Sequence, residues 1–151
     1  MSPRPRDRLG RPLPPGSADE RRYGEPERAV CSFGDALDKA VELFDAQRFF
    51  EAHEFFEHLW KSPEASPDDR GFWKGLAQVA VGFCHLQRGN RHGALTLLER
   101  ACAQLAPYPA LHHGIATGRM VAAARTSADR LRAGMALQES APSGPLRLRD
   151  P

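Results

Sequence analysis

The chain has 151 residues, the length of one compact domain. Its net charge of +2 is too small to mark a nucleic-acid binder, and no apolar run reaches the length of a membrane span. The N-terminus lacks the apolar core of a signal peptide. Cys31, Cys84 and Cys102 are odd in number, far apart and without a CxxC pair, which fits reduced thiols in a cytoplasmic protein.

Residues 1–28 are rich in Pro, Gly and charge, with four Arg against one Asp in the first 11 residues. Residues 138–151, "QESAPSGPLRLRDP", are similar. Neither segment has the apolar periodicity that offsets chain entropy. The expectation is a disordered basic arm over 1–28, a helical domain over 29–137 and a disordered tail over 138–151.

The first predicted helix is Phe33–Ala46, where Leu37, Val41 and Phe44 recur at helical spacing with Ala40 beside them. A short turn leads to the second, Phe49–Trp60. "KSPEASPDDR" reads as an exposed loop, with Asp68 or Asp69 placed to cap the next helix. That third helix, Arg70–Gln87, is apolar on nearly every side and is read as a buried core helix. "RGN" turns the chain into a fourth, Arg91–Leu105, which "PYP" stops. A fifth spans Gly118–Leu137, with Met120, Ala124, Leu131 and Met135 on its apolar side. No strand is expected. The fold class is all-α: a compact bundle of about five helices arranged as hairpins.

A weak internal repeat supports the hairpins. "LFDAQRFFEAHEFFEHLW" overlays "HLQRGNRHGALTLLERAC" at an offset of 42, so that Ala52 meets Ala94 and Phe56 meets Leu98. The pattern is weakly tetratricopeptide-like. Two copies are too few for a repeat array, which favours a compact bundle over a solenoid.

The second helix, "FFEAHEFFEHLW", carries two His and three Glu among apolar residues. At about 100° per residue, Phe49, Phe50, Phe56 and Trp60 fall within roughly 60° of His53, and Glu57 about 40° away. Glu51, Glu54 and His58 fall on the opposite side, toward water. The wheel thus directs His53 and Glu57 into the apolar stripe, where a buried charge needs a partner. On the third helix Gln78 and His85 share a face, with Gly75 and Gly82 beside them to admit a close helix. Packing of the second helix on the third would bring His53, Glu57, Gln78 and His85 together, with Trp60 as a flat wall.

Several chemistries are tested by this spacing. HExxH zinc proteases need two His four apart, and Glu57 stands where the second His should be. Di-iron bundles need ExxH motifs, which are absent. A simpler site of His53, Glu57 and His85 has ligand types that suit a divalent metal such as zinc. A polar pocket for a small ligand, and a purely structural His–Glu pair, stay open beside it. Elsewhere, His112 and His113 read as surface residues, Cys84 as a buried inert thiol, and Arg88, Arg91 and His92 as a weak anion signal at a helix start.

His53, Glu57 and Trp60 spell HxxxExxW, and "FWKGLAQVAVGFCHLQRGNRHGALTLLERACAQLAPYP" comes after it. Together these motifs resemble domain of unknown function family 309, over about Asp35–Ile115. The resemblance implies an all-helical fold with no established activity. It implies hallmark positions at His53, Glu57 and Trp60, with Gly75, Gln78, His85, Gly89 and Asn90 in the matching "GLAQ" and "H…GN" elements.

The expected function is binding of a small ligand or divalent metal at His53, Glu57, Trp60, Gln78 and His85. A second reading is a tetratricopeptide-like scaffold for a protein partner, with a structural His–Glu pair. A hydrolase with Glu57 as base and His53 as its partner ranks last, because no nucleophile can be placed. Neither a nucleic acid nor a membrane is expected as partner.

Overall fold

The structure, a computed structural model, describes residues 4–150. In chain order it comprises α1 (Pro26–Ala29), α2 (Phe33–Asp45), α3 (Phe49–Lys61), a 3-10 turn (Pro67–Asp69), α4 (Arg70–Gln87), α5 (Arg91–Leu105), α6 (Thr117–Arg132) and α7 (Leu137–Ser140). No strand occurs among the described residues. Each long helix packs chiefly on the next, so the domain is an all-α bundle of successive hairpins.

Local chemistry sets the helix ends. The Ser32 side chain accepts from the Asp35 amide at 3.0 Å and starts α2. The Asn90 side chain does the same for α5, accepting from the Gly93 amide at 2.9 Å. α6 stops at Arg132, earlier than the apolar pattern through Met135 predicts. Gly134 takes a left-handed φ of 84° there and turns the chain out of the helix. Arg91, at the start of α5, donates to the Leu131 and Met135 carbonyls and so satisfies the end of α6.

The repeat read from sequence is present in the backbone. Between α2 and α3 the Arg48 amide donates to the Leu43 carbonyl at 2.8 Å, and the Gln47 amide to Phe44 at 2.9 Å. Between α4 and α5 the Asn90 amide donates to His85 at 2.8 Å, and the Gly89 amide to Leu86 at 3.2 Å. These are the same helix-terminating motif at an offset of 42. Ala52 and Ala94 are both fully buried, as are Phe56 and Leu98. Equivalent small and large residues therefore seat the second helix of each hairpin.

The core is aromatic at one end. Phe49 packs 5.0 Å from Phe44 and 5.5 Å from Phe83 between ring centroids. Each such side chain contributes about 1.5–3 kcal/mol by leaving water. Gly75 and Gly82, expected to admit a close helix, do so for α5. A Cβ at either would come within 2.6 Å of Leu105 or Leu98. The close approach predicted for this face is thus made by α5.

Both flanking segments lie against the bundle. Gly10, with φ 85°, abuts the Phe50 ring, where a Cβ would come within 2.2 Å of it. Arg6 stacks over the same ring at 5.6 Å. At the other end Leu148 is fully buried. Its amide donates to Asp45 at 2.9 Å and its carbonyl accepts from Ala116 at 2.7 Å. Composition alone predicts free chain here. The contacts are made by isolated side chains and backbone groups, which leave no periodic signature.

Candidate functional site

The N-terminal segment decides which face of α3 meets water. Arg21 is buried and ion-paired to Asp19 at 2.7 Å and to Glu54 at 3.0 Å. Glu51 receives the Arg22 amide and the Arg48 guanidinium. Side-chain exposure is 2% at Glu51 and 16% at Glu54, but 22% at His53 and 38% at Glu57. The order expected from the helical wheel is therefore reversed. Glu51 and Glu54, expected in water, are covered, whereas the His53–Glu57 pair stands at a rim. A wheel sees one helix, and the covering chain comes from residues about thirty positions earlier.

His53 Nε2 lies 3.0 Å from Glu57 Oε2, and its Nδ1 lies 3.1 Å from the Phe50 carbonyl. Both neighbours are acceptors, so only the doubly protonated ring donates to both. Lys61 donates to the other Glu57 oxygen. The Lys61 hydrogen bond, aided by His53, holds the Glu57 carboxyl below its ordinary range against the opposing effect of burial.

The pair opens on a cleft of about 420 Å³ lined by Glu25, Glu27, Glu54 and Glu57, with His53, His58 and Lys61. Burial pushes the Glu54 carboxyl up to about 7, although Arg21 opposes the shift. A larger cavity of about 490 Å³ lies where Phe49, Phe83 and Leu86 meet Leu137 and Leu146. It is lined without an ionisable side chain, so the polar cleft is the chemically equipped one.

The five residues singled out from sequence divide. His53 and Glu57 share the cleft, while His53 and His85 share a separate cavity of about 130 Å³. Trp60 and Gln78 line neither. Lys61 and Lys74 sit over the Trp60 ring at 5.5 and 5.7 Å, and the Lys74 ammonium links Trp60 of α3 to α4. Gln78 Oε1 is buried without a hydrogen-bond partner among the described residues. His85 Nδ1 accepts from Asn90 Nδ2 at 3.3 Å, and burial pushes its pKa down. A Cβ at Gly93 would meet both His85 and Asn90. The "H…GN" element therefore forms the turn between α4 and α5.

The expected metal set of His53, Glu57 and His85 does not assemble as a cluster. Among the described residues, the group of three metal-type ligands whose atoms lie within 4.8 Å of one another is Asp69, His112 and His113. His112 Nε2 lies 2.8 Å from Asp69 Oδ1, and His113 Nε2 lies 2.7 Å from Asp69 Oδ2. From sequence, the two His are expected at the surface and either Asp68 or Asp69 as a helix cap. The adjacent His pair was the available signal, but its acidic partner is over forty residues away.

These features define a small helical bundle of stacked hairpins, with an HxxxExxW helix bordering an acidic cleft. Residues 37–97 match the model of the family described as "Domain of unknown function (DUF309)". That segment runs from within α2 into α5 and contains the whole HxxxExxW helix. It is narrower than the Asp35–Ile115 span of the resemblance read from motifs. The chain is also similar to a Bacillus subtilis (strain 168) protein, "Uncharacterized protein YpuF", at 36% identity over 65 residues. The match covers 43% of this chain and 37% of that relative's length. No solved structure matches.

Proposed function

We propose that the protein is a small-ligand-binding module whose site is the acidic cleft beside His53 and Glu57, and that the ligand is a small cation with N–H donors. The observation that carries this is the composition of one concavity. Four carboxylates, Glu25, Glu27, Glu54 and Glu57, line it against one ammonium, Lys61. An amine donor there gains charge-assisted hydrogen bonds in a partly desolvated site.

This reading is favoured over a metal at His53 and Glu57, because among the described residues no third metal-type ligand gathers with them within 4.8 Å. It is favoured over hydrolysis, because both His53 nitrogens face acceptors and neither meets a hydroxyl. A protein scaffold finds little support. Leu111 is the one strongly exposed large hydrophobic side chain among the described residues.

The test is thermal-shift titration with 1,4-diaminobutane at constant ionic strength, using butyrate as the anionic control. The wild type is expected to melt higher with the diamine and not with butyrate, and Glu57→Gln is expected to lose the shift. No diamine shift in the wild type, or an equal shift in Glu57→Gln, sinks the reading.

A further inference from the structure

A second polar cluster, independent of the cleft, lies at the start of α4. Asp69 precedes that helix, but its side chain caps none of the helix amides. Both of its oxygens are given to imidazoles instead, one to His112 and one to His113. Because a carboxylate only accepts, each ring donates from Nε2. Burial pushes the Asp69 carboxyl up, but the two imidazole hydrogen bonds outweigh this and hold it below its ordinary value.

The loop between α5 and α6 is shaped to aim both rings at one point. His112 and Ile115 exchange backbone hydrogen bonds of 3.0 and 2.8 Å across a two-residue turn. The turn residues, His113 at φ 51° and Gly114 at φ 74°, are both left-handed. A histidine there bears a conformational cost that glycine would avoid. Ile115 is fully buried and anchors the turn, and Tyr108 Oη donates to the Asp68 carbonyl at 2.8 Å. Gly71 makes room for that contact, since a Cβ would come within 2.7 Å of the Tyr108 hydroxyl. Phe72 lies 4.8 Å from the His112 ring and Trp73 lies 5.2 Å from the His113 ring. The cluster thus has an apolar floor and an open side, with exposures of 20% at Asp69, 25% at His112 and 42% at His113.

We propose that Asp69, His112 and His113 form a binding site for a divalent transition-metal ion of the zinc class. Two imidazole nitrogens and a carboxylate are the donor set of three-ligand sites that keep a position open for water or substrate. Ligands at about 2.0–2.1 Å from zinc stand roughly 3.3 Å apart in tetrahedral geometry. The present spacing of 2.7–2.8 Å therefore opens by about half an ångström when an ion enters between the rings and the carboxylate. The ion replaces the two Nε2–H hydrogen bonds, and each neutral ring then changes tautomer, its one proton passing from Nε2 to Nδ1 by exchange with water.

The test is calorimetric titration of chelator-treated, tag-free protein with zinc chloride, paralleled by the visible absorption of the cobalt(II) form. The wild type is expected to bind one ion per chain and to give visible cobalt bands. His113→Gly removes a ligand and relieves the left-handed backbone, so the chain stays folded. It and Asp69→Asn are each expected to weaken zinc binding at least tenfold, no less than the loss of an outer-shell partner. Melting curves of the metal-free variants verify folding, and His113→Gly decides alone if Asp69→Asn unfolds. Absence of stoichiometric uptake by the wild type overturns the proposal, as does unchanged affinity in folded His113→Gly. Uptake that survives in Asp69→Asn and disappears in Glu57→Gln would assign the ion to the cleft and overturn it equally.

Discussion

Gln47 and Gly89 occupy the same position in two equivalent turns, and both hold a left-handed backbone, at φ 61° and φ 80°. Glycine accepts that conformation without a Cβ clash, whereas an L-residue bears roughly 1–2 kcal/mol. Gln87 donates to the Gln47 carbonyl at 3.0 Å, a contact that does not depend on the Gln47 side chain. Gln47→Gly is therefore expected to stabilise the protein by about 0.5–1 kcal/mol, after the greater entropy of glycine in the unfolded chain is subtracted. Gln47→Val is expected to destabilise it. Urea unfolding of the three proteins measures both, and a less stable Gln47→Gly would contradict the strain.

The N-terminal segment reaches α3 through Gly10 against Phe50 and Arg21 against Glu54. Gly10→Ala adds a methyl group where the ring stands and strains a positive φ, so it is expected to release the segment. Amide hydrogen exchange should then accelerate over residues 6–22 while α4 and α5 keep their protection. At the other end, Leu148→Ala is expected to cost about 2–4 kcal/mol, because a fully buried leucine leaves a cavity. Wild-type exchange as fast as free chain in these segments would refute both expectations and leave 1–28 and 138–151 as disordered ends.

Glu54 links stability to pH. Its carboxyl is raised from 4.5 to about 7, chiefly by burial. A carboxyl raised by folding is protonated in the native state when the unfolded chain has already lost the proton. Its contribution is therefore fully favourable below about 4.5 and is lost as pH rises from there to about 7. The loss is at most on the order of 3 kcal/mol. Glu54→Gln is expected to remove this slope when unfolding is measured across pH 4.5–7.5. The same ionisation adds a negative charge to the cleft, so diamine affinity should rise as pH passes 7. An identical pH profile in the two proteins would show that Glu54 does not titrate in this range.

The helices were legible because their signals are local. Leu37, Val41 and Phe44 announce α2, Ala94 and Leu98 mark the buried side of α5, and Asn90 stands where a cap is needed. The repeat was legible for the same reason, since two similar turns require similar short sequences. The HxxxExxW motif also located the His53–Glu57 contact, because residues four apart on a helix must be neighbours. The end of α6 was misplaced because the apolar pattern continues through Met135, while Gly134 ends the helix.

The wet and dry faces of α3 were not legible. Helical periodicity placed Glu51 and Glu54 in water, because it has no term for Arg21 and Arg22 arriving from outside the helix. His112, His113 and Asp69 were separated for a similar reason: a turn and a helix start over forty residues apart share a site only after α4 and α5 pack. Thus the sequence by itself determined the all-helical class, the hairpin order and the i,i+4 pair, all of which depend on neighbours within a few turns. Only the tertiary structure decided which carboxylates are covered, which cavity His53 faces and which residues meet at Asp69. Those outcomes depend on distant segments brought together by burial, and no short-range pattern encodes them.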